Sequence, residues 1–168
     1  MPREMTVGDI PEKMAAVYRL AMKSTDTSTK NGAIICRERW NVSGGFNHIL
    51  TPFLDDPKSH ERPTKYEVTA HAERAAIFNA VNRHIDVRGA TMIANWIACP
   101  DCARAIVLCG IADVVCHKQC MDRTPERWRH LVDRGLEILE KSGVNVIQWD
   151  GKIGGEVTNL NNGETWSP

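Results

Sequence analysis

Apolar residues at Met14, Val17, Tyr18, Ala21 and Met22 recur at helical spacing, and the run opens on Asp9, Pro11 and Glu12. A cap residue, an early proline and a first-turn acid mark a helix start, so the pattern predicts a helix from there to about residue 23. A polar turn over 24–29 follows. Two short apolar runs, 33–36 and 42–46, joined through 37–40, read as a β-hairpin. From 47 to about 69 the chain carries three prolines and many charges with no sustained period. A long irregular stretch inside a domain is usually functional or mobile. Over 70–84, Ala72, Ala75, Ala76, Ile77, Ala80 and Val81 surround much of a helix, which predicts a buried one.

Beyond this point the chain alternates. Residues 90–96 read as a strand, 100–109 as a helix and 112–116 as a strand. A long amphipathic helix over 125–142 is stopped by Gly143, and 144–149 forms a last strand. Strands separated by helices require crossover connections and a parallel arrangement. The fold class expected is α/β: a five-stranded mixed sheet, an antiparallel hairpin followed by a parallel βαβαβ run, with helices on both faces. Residues 1–150 form one domain in this reading. The Gly- and Asn-rich tail, 151–168, is weakly patterned and either disordered or docked on a neighbour.

Composition narrows the function. The chain has 168 residues, 42% hydrophobic and 25% charged, with 21 basic and 21 acidic residues. Proteins that hold long nucleic acid usually carry a basic excess, because counterion release drives that binding. The balance here favours a small ligand. No stretch matches a membrane span, and the first five residues lack the apolar core of a secretory signal. Six cysteines in such a chain read as thiols or metal ligands rather than a disulfide framework. A cytoplasmic location is expected.

Two segments carry candidate chemistry: His71, Ala72 and Glu73 at the start of the buried helix, and Cys99, Pro100, Asp101 and Cys102 at the start of the next. Cys99 and Cys102 are three apart, so at a helix N-terminus both sulfurs can face one side, where the positive helix end favours thiolates. With His71 they make three ligands, the number a catalytic zinc takes beside a water. In mid-helix His71 and Glu73 would point about 200° apart. They converge only if His71 lies at the helix entry. Glu73 is then left beside a water whose pKa zinc lowers to about 7, placed to carry its proton.

These motifs resemble the zinc-dependent cytidine/deoxycytidylate deaminase superfamily, whose signature is H-x-E followed by P-C-x-x-C. The likeness is nearest to its deoxycytidylate branch and runs from about residue 24 to 149. STDTSTKNGAI at 24–34 is similar to that branch's SKDPSTKVGAV, and Gly45, Phe46 and Asn47 stand where it has Gly-Tyr-Asn. The resemblance implies a cytidine-deaminase-like three-layer fold and hydrolytic deamination of a small cytosine nucleotide, dCMP foremost. It implies Zn(2+) on His71, Cys99 and Cys102, Glu73 as proton shuttle and Asn47 as a sugar contact. Ser24 and Ala72, in the matched segments, are taken as further substrate contacts. A homo-oligomer, dimer or hexamer, is also implied. The chain departs from the pattern at Thr25, His48, Ala75, Ala98 and the Asn95, Trp96, Ile97 segment.

Outside the motifs several readings stand open. Trp96 precedes Cys99 by three residues and either lines a base pocket or packs in the core. Arg62 and Lys65, in the long loop, either meet a phosphate or are solvated. Cys116, His117 and Cys120 suggest a second metal site less well than a buried strand end. Trp40, Trp128, Trp149 and Trp166 read as packing residues. The competing functions are another nucleoside or nucleotide deaminase (dCTP, cytidine or an adenine nucleotide), a tRNA adenosine deaminase, and a protein whose zinc is only structural.

Overall fold

A computed structural model describes residues 9–168; the first five residues, read above for a signal, lie outside them. In chain order the elements are α1 (Ile10–Ala21), β1 (Gly32–Arg37), β2 (Trp40–Phe46), β3 (His48–Ile49), α2 (Thr64–Val68), β4 (Thr69–Ala70), α3 (Ala72–Asn82), β5 (Thr91–Ala94), α4 (Pro100–Leu108), β6 (Asp113–His117), α5 (Lys118–Asp122), α6 (Glu126–Lys141), β7 (Asn145–Trp149), β8 (Asn159–Asn161) and β9 (Glu164–Trp166).

The expected α/β fold is present. Its five-stranded sheet has the order β2-β1-β5-β6-β7. β1 runs antiparallel to β2 and β5, while β5, β6 and β7 are parallel. Because the sheet is covered on both sides, its central strands are apolar throughout and the pleat sorts alternate residues into two cores. Ala33, Ile35, Met92, Ala94, Val114 and Cys116 pack with Ala76, Ile106 and Leu139 of α3, α4 and α6. Ile34, Cys36, Ile93 and Val115 pack with Met14, Val17 and Tyr18 of α1. The result is three layers, α/β/α. Among the described residues no helix is long and apolar enough to cross a membrane.

The long irregular stretch is more ordered than its sequence indicates. It holds two single 3-10 turns (Thr51–Phe53 and Pro57–His60), α2, and a two-stranded ladder in which His48 pairs with Ala70 and Ile49 with Thr69. Elements of two to five residues are too short to establish a period, and α5 escaped notice for the same reason. The tail forms the β8–β9 hairpin and docks on its own chain. Trp166 enters the α1 core, Leu160 accepts from the Lys30 amide at 2.9 Å and the Gly163 amide donates to Ser28 at 2.8 Å.

Two glycines set how closely helices approach the edge of the sheet. A Cβ on Gly45 of β2 would lie 2.4 Å from the Ala76 nitrogen of α3, and one on Gly135 of α6 only 1.9 Å from the Ala98 carbonyl oxygen. In a solvent-facing helix, Gly→Ala stabilises. Gly135→Ala should do the opposite, because the new methyl must push α6 off the segment before Cys99. Overpacking of this kind costs about 1–3 kcal/mol, so a thermal scan should show a loss of a few degrees rather than a gain.

Candidate active site

The chemistry-bearing segments meet at the carboxyl edge of the parallel strands, where ligands bind in open α/β sheets. β4 ends at Ala70 and His71 is the residue that caps α3, with extended backbone at φ −80° and ψ 152°. This is the helix-entry position that lets His71 and Glu73 face one point. Asn95 to Ala98 lead out of β5 to Cys99, which caps α4, also extended at φ −65° and ψ 169°, with Pro100 opening the helix and Cys102 in its first turn. Two helix N-termini thus point their positive ends at one spot.

There His71 Nδ1 lies 3.4 Å from Cys99 Sγ and 3.6 Å from Cys102 Sγ. The three donor atoms all lie within 4.8 Å of one another, a group able to hold a metal ion, and the only one of its kind among the described residues. The hydrogen bond from Cys102, supported by His71, pulls the Cys99 thiol down to about 3 against the effect of burial. Cys102, as the partner that keeps the proton, is pushed up. The bond to Cys99 raises His71. Burial raises the Glu73 carboxyl, with the nearby His71 opposing. A carboxyl so placed holds and releases protons nearer neutrality than a solvated one.

A cavity opens over this cluster, and His71, Ala72, Glu73, Cys99 and Trp96 face it. Trp96 is half-buried and donates from Nε1 to Thr124 Oγ1 at 2.9 Å, which fixes its ring at the cavity edge. Asn47 also faces the cavity. Its Oδ1 accepts from the Asn31 amide at 2.7 Å and its Nδ2 donates to the Thr29 carbonyl at 2.8 Å, so it holds the 29–31 backbone in place.

Arg62 and Lys65 both reach the cavity, but in different states. The Arg62 guanidinium lies 5.9 Å from the centre of the Tyr66 ring. Lys65 is buried and ion-paired with Asp26 at 2.8 Å, and Asp26 Oδ1 also accepts from the Ser28 and Thr29 amides. Ser24 is not among the residues facing the cavity. It is buried below the same loop, its Oγ accepting from the Asp26 amide at 3.1 Å and its carbonyl from Lys30 Nζ at 2.7 Å.

Sequence reading missed Tyr66, Arg127, Trp128 and Asn161, all of which line the cavity. Trp128, read as a packing residue, meets Tyr66 edge to face at 5.2 Å. Arg127 and Trp128 sit in the first turn of α6, and helix starts beyond the carboxyl ends of parallel strands were the available signal. Cys116 and Cys120 are fully buried. They belong to no metal-capable group among the described residues.

The sheet order, the layers and the cluster are together those of a cytidine-deaminase-like hydrolase, and comparisons with known proteins agree. The pattern of the cytidine and deoxycytidylate deaminase zinc-binding region matches residues 9–118. The chain is 34% identical over 123 residues, 73% of its own length and 81% of the other's, to a deaminase from the luxG 3' region of Aliivibrio fischeri. It is 31% identical over 109 residues, 61% of this chain, to mouse deoxycytidylate deaminase, of which it spans 60%. In fold it is similar to the dCMP deaminase of cyanophage S-TIM5, solved with dCMP and dUMP: TM-score 0.70, 20% identity, 87% of this chain and 100% of that one. The chain belongs to the cytidine and deoxycytidylate deaminase family, and is a hydrolytic deaminase.

The ion pair decides what Lys65 does. Removing one member of a buried pair costs about 3–5 kcal/mol because the other charge is left uncompensated. Lys65→Met should therefore lower the melting temperature strongly, and adding Asp26→Asn should recover part of the loss. A normal melting temperature with only a raised KM would instead make Lys65 a substrate contact.

Proposed function

We propose that the protein deaminates dCMP to dUMP with release of ammonia, using one zinc ion held by His71, Cys99 and Cys102 and a proton shuttle at Glu73. The observation that carries this reading is the convergence of the two helix starts. Zinc–nitrogen bonds of about 2.0–2.1 Å and zinc–sulfur bonds of about 2.3 Å at tetrahedral angles give nitrogen–sulfur edges of about 3.6 Å, and the His71–cysteine separations of 3.4 and 3.6 Å fit them. A ligand set of one His and two Cys leaves a fourth position open, as catalytic sites do.

Bound there, zinc supplies the Lewis acidity that makes a water molecule a competent nucleophile near neutral pH. Glu73, buried beside it, takes a proton from the attacking water as oxygen bonds to C4, and delivers it to N3 of the ring. It then takes the second proton from the hydroxyl now on C4 and gives it to the departing amine, so that the carbonyl forms and ammonia leaves. His71 and the two cysteines hold position throughout, because each is fixed at a helix start.

Substrate choice lies away from the metal, since the same chemistry attacks cytosine or adenine. Support for a cytosine monophosphate comes from the dCMP deaminases of mouse and cyanophage and from the cavity's cations. Arg62 lies over Tyr66 and Arg127 bonds only the neutral Asn162 in the contacts seen. Both guanidinium groups remain available for a phosphate, which arginine grips bidentately.

Elemental analysis should find one zinc per chain, lost on His71→Ala or Cys99→Ser. Glu73→Gln should keep the zinc and the fold yet lower turnover by about 10²–10⁴-fold, the range of general acid–base catalysis. More than a tenth of wild-type rate would remove Glu73 from the shuttle role. A panel of cytosine and adenine bases, nucleosides, mono- and triphosphates, assayed for ammonia, should rank dCMP first. Deoxycytidine well ahead of dCMP, or an adenine compound in first place, would overturn the substrate while leaving a deaminase.

A further inference from the structure

The family match ends at residue 118, yet a residue far beyond it faces the cavity. Asn161 ends β8, is 5% exposed, and lines the cavity over His71 and Glu73. Its Oδ1 is buried and has no hydrogen-bond partner. Leaving a buried acceptor unpaired costs free energy, and an unpaired acceptor on a residue that lines a ligand cavity points to a donor on the ligand.

A chain of buried hydrogen bonds fixes which end of the amide is free. His117 Nε2 lies 2.9 Å from the Gly151 carbonyl oxygen, which can only accept, so Nε2 carries the proton. His117 is neutral, because burial pushes its pKa down, so Nδ1 must accept, and Tyr18 Oη donates to it at 2.7 Å. Burial keeps the Cys120 thiol protonated by pushing it up to about 12. Cys120 Sγ then receives Asn161 Nδ2, at 3.8 Å. The nitrogen is turned to sulfur, and the oxygen is the amide atom left without a partner.

The position along the cavity decides what that oxygen meets. The hairpin lies against the 28–30 backbone through the Gly163–Ser28 and Lys30–Leu160 bonds. Asn162 of the same turn accepts from Arg127 Nη2 at 2.6 Å, and its backbone amide donates to Thr29 Oγ1 at 3.0 Å. Asn161 therefore belongs to the side of the cavity built by Thr29, Asn47 and Arg127. In a cytosine nucleotide the donors are the 4-amino group and the sugar hydroxyl, and the 4-amino group must face Glu73 and the metal donors. We infer that Asn161 Oδ1 accepts a hydrogen bond from the sugar hydroxyl of the bound nucleotide, so that the C-terminal hairpin supplies a specificity-determining contact. The inference rests on reading the cavity as the nucleotide site.

The test compares dCMP with 2′,3′-dideoxycytidine 5′-monophosphate, which lacks the hydroxyl, on zinc-loaded full-length protein. Wild type, Asn161→Ala and Asn161→Leu are assayed for kcat/KM by ammonia release and for the melting-temperature rise each nucleotide produces. Wild type should prefer dCMP by about tenfold, a neutral hydrogen bond's effect with one group left unpaired. Both variants should reduce that preference to about twofold or less, mainly through KM. Without nucleotide, Asn161→Leu should melt no lower than wild type, since it removes an unsatisfied buried acceptor at similar volume. A variant that folds and keeps the wild-type preference overturns the assignment. So does the failure of both variants to melt cooperatively, which would make the amide a folding residue. If wild type releases no ammonia from any cytosine compound, the proposed reaction falls, and the melting-temperature rises still decide Asn161. If dCMP produces no rise either, both fall.

Discussion

Two helices can press directly onto backbone at the carboxyl edge of the sheet, and the site depends on that closeness. α3 lies on β2 where Gly45 presents no side chain, and its small residues continue the fit: Ser43 Oγ donates to the Ala76 carbonyl at 2.7 Å. α6 lies on the carbonyl of Ala98 through Gly135. The first contact holds the start of α3, with His71 and Glu73, against the sheet. The second clamps the segment that delivers Cys99. Both helix starts are held by main-chain packing at these two glycines rather than by the polar groups they display.

Around that edge the remaining walls come from elements scattered along the chain. Asn95 Oδ1 accepts from the Gly32 amide at 2.9 Å and joins the exit of β5 to the entry of β1. The Asp26–Lys65 pair joins the loop after α1 to α2 across 39 residues. A buried pair of this kind adds little net stability over an apolar pair, but it fixes one arrangement of two loops that carry little apolar surface of their own. Arg62 and Arg127 are the cavity's other cations, one over the Tyr66 ring and one bonded to Asn162.

What could be read in the residues is local chemistry. H-x-E and C-x-x-C each place their groups within three or four positions, so the helix-entry requirement on His71 could be stated from spacing alone. The alternation of strand and helix after residue 90 likewise reports the parallel sheet, because buried strands and crossover helices differ in period. The rest depends on partners distant in sequence. Lys65, read as either meeting a phosphate or solvated, lines the cavity with its charge engaged by Asp26, which no local pattern reveals. Ser24 stands at the head of a segment like that of the deoxycytidylate branch, and yet its hydroxyl turns to the loop's own backbone. Trp128 has the spacing of a packing residue and meets the cavity only because α6 starts at its rim. β3 and β4 form a two-residue ladder, shorter than any period can mark.

The docking of the tail has a consequence for how the molecule is made. A nascent chain that has just finished β7 already carries His71, Glu73, Cys99 and Cys102. The ring cluster of Tyr18, His117 and Trp149, however, is completed by Trp166, which stacks at 6.0 Å on His117. The same stretch delivers Asn161 and ties Arg127. On the ribosome, His71, Glu73, Cys99 and Cys102 therefore emerge well before the hairpin that brings Asn161 to the cavity wall.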